Sequence, residues 1–147
     1  MFKHLLVPTD GSNLSTETVR RAVSFAQEAG ASITFFFAKP EYPIAVYGEG
    51  ALIDPTTPEK FAEMADAQAS EVLSACAKAA EEAHVPCSTT SSVSDIPYEA
   101  IIDAAQACGA DLIFMASHGR RGISGLLLGS ETQKVLTHSK IPVLVYR

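Results

Sequence analysis

The chain is short of basic residues. Of its 147 residues, 11 are Lys or Arg against 17 Asp or Glu, a formal net charge of −6. That balance argues against nonspecific contact with nucleic acid or an anionic membrane, both of which select a basic face. Long apolar runs are missing too. Met1, Phe2, Lys3 and His4 lead into a stretch too short for a signal-peptide core or a membrane span. The expectation is a cytoplasmic protein without membrane insertion and without a nucleic-acid partner. Cysteine is scarce. Cys76, Cys87 and Cys108 are an odd set without C-x-x-C spacing and read as small hydrophobes rather than ligands or a disulfide framework. The sequence has neither a G-x-x-x-x-G-K-[ST] phosphate loop nor a G-x-G-x-x-G dinucleotide fingerprint. No metal-ligand cluster and no serine or cysteine triad stands out, so no catalytic residue is assigned.

What is present is the composition of a soluble globular protein, 47% hydrophobic and 19% charged. The length suits one domain, residues 1–147, large enough for a core. Residues 2–7 form a short strand ended by Pro8, and Thr9-Asp10-Gly11-Ser12-Asn13 is a turn and cap cluster. A helix follows to about residue 29, with Val19, Ala22, Val23 and Ala26 as its apolar stripe and Gly30 as its stop. Residues 33–38 form a second strand. Its three consecutive phenylalanines are apolar on both sides, as in a strand covered on both faces.

Residues 39–56 carry Pro40, Pro43 and Pro55, and are too long for an ordinary connection. Such segments are lids, binding loops or insertions with no role. Thr57-Pro58-Glu59 opens a long helix, with Phe61, Ala65, Gln68, Val72, Cys76, Ala79 and Ala83 along one face and His84 near an end that suits a cation. The Ser/Thr-rich run over 86–93 reads as a polar edge strand. Ser94-Asp95 caps a helix with Pro97 in its first turn, an inner stripe of Ile101, Ala104, Ala105 and Cys108, and Gly109 at its end. Residues 111–116, 130–139 and 142–146 supply a fourth strand, a last helix and a fifth strand. Strand–helix alternation implies right-handed crossovers and a parallel sheet.

The chain is organised around residues 112–130. An apolar strand runs into a loop with Gly119, Gly122, Gly125 and Gly129, which closes on Ser130-Glu131-Thr132-Gln133, a Ser-x-x-Gln helix start. Strand, glycine-rich loop and helix N-terminus make an anion site: the backbone can approach a ligand, and the first N–H groups of the helix lack intrahelical partners. The loop after the first strand, with Asp10, meets it if the two strands flank the point where strand order reverses.

Three pieces give the chain a resemblance to the universal stress proteins of the UspA family over nearly its whole length. They are Val7-Pro8-Thr9-Asp10-Gly11-Ser12; Gly109-Ala110-Asp111-Leu112-Ile113-Phe114-Met115-Ala116-Ser117-His118-Gly119; and Gly122 through Gly129-Ser130 with Ile141-Pro142-Val143-Leu144-Val145. The ATP-binding branch carries G-x2-G-x9-G-[ST]. Here the spacing holds through Gly119 and Gly129-Ser130, but Ala116 stands at the first glycine. The methyl group either narrows the site or is harmless in extended backbone.

The resemblance implies a three-layer, Rossmann-like α/β fold (adenine nucleotide alpha hydrolase-like), with a five-stranded parallel sheet of order 3-2-1-4-5 and helices on both faces. It implies binding of ATP or AMP, with Mg2+ held by Asp10 through the phosphates. Pro8 and Thr9 would line the adenosine pocket, Ala38 would meet the adenine edge through its backbone, and Met115 would form an apolar wall beside Ala116. Gly119, Gly129, Ser130 and the Glu131 backbone would hold phosphate, with His118 and Arg120 in the same loop. It further implies a homodimer through the apolar edge strand Val143-Leu144-Val145.

Bland readings stand beside these. Asp10 and Ser130 are helix caps; His118 is a hydrogen-bonding loop residue and His138 a cation at a helix end; Arg120 and Arg121 are solvated. Three functions follow: a nucleotide-binding stress or regulatory module, a dimeric interaction protein that binds no nucleotide, or a slow ATPase or phosphoryl-transfer enzyme. The last has no phosphate-loop lysine and no clear base.

Overall fold

The computed structural model describes residues 1–43, 57–119 and 128–147. Most of the long segment at 39–56 and the loop residues Arg120, Arg121, Gly122 and Gly125 lie outside the described residues. The elements in chain order are β1 (His4–Pro8), α1 (Asn13–Ala29), β2 (Ser32–Lys39), α2 (Pro58–Glu82), β3 (Cys87–Val93), α3 (Pro97–Ala107), β4 (Leu112–Ala116), α4 (Ser130–His138) and β5 (Val143–Tyr146). The sheet order is β3-β2-β1-β4-β5, all parallel, as the resemblance implies.

Strand residues alternate between two cores. Leu5, Val7, Ile33, Phe35, Phe37, Leu112 and Phe114 face α1 and α2, whereas Leu6, Phe36, Ile113 and Met115 face α3 and α4. The phenylalanine run is thereby explained. Phe35 and Phe37 fill one core and Phe36 the other, and all three are buried. A side-chain period of two forces that division. Cys76 packs in the first core, where burial pushes its thiol up to about 11. Cys87 and Cys108 are half-buried, and all three cysteines are free.

Helix ends depart from the sequence reading in several places. Gly30 stops α1 in the left-handed region, with φ +67°. At the end of α2 the left-handed position falls on His84, with φ +58°. Its N–H bonds Glu81 O, so the residue has a turn-forming role beside the one expected for a cation. The buried stripe of α2 is Ala65, Ala69, Leu73, Cys76 and Ala80. Gln68 is exposed, and Ala79 and Ala83 are only half-buried. Ser94 and Asp95 do not cap α3. Its N-cap is Ile96, which makes no side-chain capping bond. Ser94 Oγ instead accepts from Ile96 N, and Asp95 Oδ1 accepts from Glu41 N.

Asp111 ties the starts of β1 and β4 together. Its carboxylate accepts the backbone N–H groups of Lys3 at 2.8 Å and His4 at 3.1 Å. Burial pushes its pKa up, but these bonds outweigh burial and hold it below the usual carboxylate value.

Candidate functional site

Strand order reverses at β1, which pairs with β2 on one side and β4 on the other. The crevice outside their carboxyl ends is where an open α/β sheet receives ligands. Pro8 ends β1 opposite Phe36, and Thr9 N–H continues the ladder to Phe36 O at 2.9 Å. Thr9 is buried, its hydroxyl 2.6 Å from that of Ser15. Ser15 Oγ also accepts from Asp10 N at 3.2 Å. Ser15 was not singled out from the sequence. The available signal was its place four residues before Val19, a polar residue on the apolar stripe of α1.

Asp10 does not cap α1; Ser12 does, its side chain accepting from Ser15 N. Asp10 Oδ1 instead accepts from Ser12 N at 2.9 Å, a local turn that aims the carboxylate across the crevice. A methyl group at Gly119 would lie 2.6 Å from Asp10 Oδ2. The loops after β1 and β4 therefore meet at these two residues.

The loop after β4 is pinned where it leaves and where it returns. Ser117 N–H bonds Tyr146 O at 2.8 Å, and Gly129 N–H bonds Ser117 O at 2.7 Å. The approach at Gly129 is so close that a methyl group there would stand 2.9 Å from His118 Cα and 3.0 Å from His118 Cβ. Gly129 needs no special dihedral, since its φ is −61° and ψ 152°; it needs the space. His118 Nδ1 lies 3.0 Å from Ser117 Oγ, so the imidazole takes part in a loop hydrogen bond.

The helix start is shifted by one residue from the sequence reading. Gly129, not Ser130, is the N-cap of α4, and no side chain caps it. Ser130 is the first helical residue, exposed at the N-terminus, and its hydroxyl is not spent on a cap. The Thr132 hydroxyl bonds Ala116 O at 3.0 Å, fixing α4 to the end of β4. Ala116 itself is the last strand residue, paired with Tyr146, where backbone is extended and alanine is at ease. Glu131 turns its side chain away from the loop. Its Oε2 accepts Tyr98 N–H at 2.9 Å and its Oε1 lies 3.5 Å from Lys134 Nζ. That cap for α3 comes from 33 residues away, and no local pattern announces it.

Met115 is buried on the α3/α4 side, and Ala38 is half-buried on the same side near the end of β2. Arg120 lies outside the described residues. Among the described residues no group of three or more His, Cys, Asp or Glu side chains could hold a metal ion alone. The arrangement gathers an uncapped helix N-terminus, a serine hydroxyl, two close-approach glycines and one carboxylate around the switch-point crevice. Such a set can hold an anion through backbone N–H groups.

A doubly wound α/β protein with a glycine-rich loop and a helix start at its switch point is the class these features define. The Universal stress protein family model matches residues 1–147, and the chain belongs to that family. It is 30% identical to universal stress protein MJ0531 of Methanocaldococcus jannaschii, over all of this chain and 83% of that one. It is 31% identical to a Thermus aquaticus universal stress protein over the full length of both. Among solved structures, UspA from Lactobacillus plantarum aligns with a TM-score of 0.77 at 26% identity, covering 99% of this chain and 97% of that one. A universal stress protein in complex with cAMP aligns at 0.72 and 24% identity, covering 99% and 97%. The Archaeoglobus fulgidus protein in complex with dAMP aligns at 0.66 and 17%, covering 100% and 98%.

Proposed function

We propose that this universal stress protein binds an adenine nucleotide, ATP or AMP, in the crevice between the loops after β1 and β4, and that occupancy of the site regulates its partners in a stress response. The observation that carries the reading is the pinned loop. Gly129 is held 2.7 Å from Ser117 O, and its missing side chain lets the N-terminus of α4 close on His118. Phosphate would sit on the N–H groups of Ser130 and Glu131, with the Gly119 and Gly129 backbone and the Ser130 hydroxyl beside it; the Gly129 N–H itself is held by Ser117 O. Pro8 and Thr9 would line the adenosine, the Ala38 backbone would meet the adenine edge, and Met115 would form the apolar wall. Ala116 supports retention of the site, because it lies in extended strand. Turning the Glu131 carboxylate to α3 removes a like charge from the phosphate region. The two relatives solved with cAMP and dAMP are consistent with the reading, but at their identities it rests on the residues named here.

Mg2+ fits this donor set only as a companion of the nucleotide. It binds through one or two carboxylates together with phosphates and water, and Asp10 is the carboxylate at the crevice. When bound, the ion would neutralise phosphate charge. Asp10 orients toward that charge, and the Gly119 backbone leaves room for it. The reading places the protein in the cytoplasm; no helix among the described residues is long and apolar enough to cross a membrane. It also includes a homodimer through β5, Val143, Leu144 and Val145.

The test is the thermal midpoint of nucleotide-stripped protein with and without ATP and Mg2+. Ligand at a hundred times its Kd adds about 2.7 kcal/mol, at roughly 2–4 °C per kcal/mol for a domain of this size. The expected result is a rise of several degrees that is lost in Asp10→Ala and Gly129→Val variants. No rise at millimolar ATP or AMP, with nothing co-purifying, overturns the reading.

A further inference from the structure

β3 pairs with β2 alone among the described strands and ends the sheet. Edge strands are ordinarily kept from pairing further by shortness, charge, proline or a bulge. Within its span β3 has none of these. It runs for seven residues, Cys-Ser-Thr-Thr-Ser-Ser-Val. Its register to β2 is unbroken from Ile33↔Cys87 to Lys39↔Val93. The two ends of the ladder fix where its peptide groups point. Ile33 N–H bonds Pro86 O, and Ser94 N–H bonds Lys39 O, both at 2.9 Å. Bonding residues alternate along a parallel pair. Ser88, Thr90 and Ser92 therefore turn their peptide groups to β2, while Cys87, Thr89, Ser91 and Val93 turn theirs outward.

Beside this edge, on the α3 side of the sheet, runs a groove of about 430 Å³ between β3 and α3. Phe36 forms part of its floor, with the hydroxyl-bearing Thr90, Ser92 and Ser94 along β3, and α3 contributes Glu99 and Asp103, one helical turn apart. No Lys, Arg or His lines it among the described residues. Neither carboxylate forms an ion pair with a described residue, and Glu99 Oε1 accepts the neutral Tyr98 hydroxyl at 3.1 Å, which leaves its charge uncompensated.

We propose that the β3 edge and this groove are a docking surface for an extended, basic segment of a partner protein. The segment adds as a sixth strand beside β3. Main-chain bonds to the outward groups of Thr89 and Ser91 supply affinity, and alternate side chains supply selectivity. Side chains turned to the α3 side enter the groove, where Lys or Arg meets Glu99 and Asp103. An acidic or phosphorylated segment meets like charge there. A second copy of β3 brings no cation of its own, so it does not satisfy the carboxylates. None of the groove's lining residues is one assigned to the nucleotide, although Ser92 pairs with Ala38 and so the groove adjoins the proposed adenine edge.

The probe is a fluorescein-labelled peptide of sequence Thr-Lys-Val-Lys-Thr-Lys-Val, which sets its lysines on one face of a strand, followed by anisotropy and by amide hydrogen exchange of the protein. The expected result is binding that weakens with salt and slows exchange at Thr89 and Ser91, whereas Ser88 and Thr90 are slow in the free protein. Glu99→Gln with Asp103→Asn, both on exposed positions of α3, lowers affinity at least tenfold while the thermal midpoint holds. The same peptide with glutamate for lysine does not bind. Four outcomes overturn the proposal: no binding at millimolar peptide; binding indifferent to the double substitution; binding without protection at Thr89 and Ser91; or protection of those amides by raised protein concentration alone, which places a second copy on the edge.

Discussion

Gly119 and Gly129 both lack a side chain where the candidate site closes, but for unequal reasons. At Gly119 the added methyl meets Oδ2 of Asp10, a side-chain end that gives way at the expense of its bond from Ser12 N–H but without a shift of backbone. At Gly129 it meets the Cα and Cβ of His118, which are fixed by the bond from Gly129 N–H to Ser117 O. Crowding of that second kind costs about 1–3 kcal/mol, because backbone must shift to relieve it. In nucleotide-free protein, Gly129→Ala is expected to lower stability by that amount, and Gly119→Ala by clearly less. Urea unfolding of both variants measures the contrast, and equal costs would contradict it. The sequence made both glycines visible, since their spacing around a helix start is a local pattern. The helix register was not visible. Ser130 reads as the cap because Ser-x-x-Gln is a capping pattern, yet the long-range bond to Ser117 sets Gly129 there and frees the serine hydroxyl. Glu131 was legible as a residue of the loop but not as a cap for α3.

At the level of elements, α3 has no side-chain cap of its own, and α4 supplies one. Tyr98 N–H is an orphan donor of the first turn, and Glu131 Oε2 satisfies it at 2.9 Å. Lys134 lies over the Tyr98 ring, 5.6 Å from its centroid, and the His138 ring stands 5.2 Å away. The start of α3 is thus packed along α4, from Glu131 in its first turn to His138 at its end. Loss of a capping acceptor costs about 1 kcal/mol. Glu131→Ala is expected to lose that amount and to speed amide exchange in the first turn of α3. Glu131→Gln keeps an acceptor and recovers most of it. An unchanged exchange rate in the alanine variant would show that the cap contributes nothing. Strands and helix interiors were legible from periodicity, because burial on one face or two leaves a local imprint. The α2 stripe was read with its phase displaced, since an alanine-rich helix offers several faces of similar apolarity. The contact with β2 and β3 that selects Ala65, Ala69, Leu73, Cys76 and Ala80 is tertiary.

For the molecule as a whole, the two edges of the sheet differ in kind. β3 is long and carries hydroxyls, with carboxylates beside it. β5 is short and reads Val-Leu-Val-Tyr, and all four residues stay partly accessible in the single chain. Leu144 and Tyr146 pack on the α1/α2 core and Val143 on the other, so β5 is seated by both faces while its outer backbone meets no described strand. An unpaired apolar edge is a template for another chain, and a second copy of the same strand brings the same apolar side chains to both sides of a two-fold contact. The homodimer proposed above is therefore assigned to β5, leaving β3 to heterologous partners. Light scattering at micromolar concentration should return twice the 15.6 kDa of one chain. Val145→Lys places a charge at that edge and should shift the protein to monomer, while the ATP-dependent rise in thermal midpoint persists because the crevice lies at β1 and β4. A Val145→Lys protein that remains dimeric would move the interface off β5. One that becomes monomeric and also loses the nucleotide shift would mean that the site is completed only in the dimer.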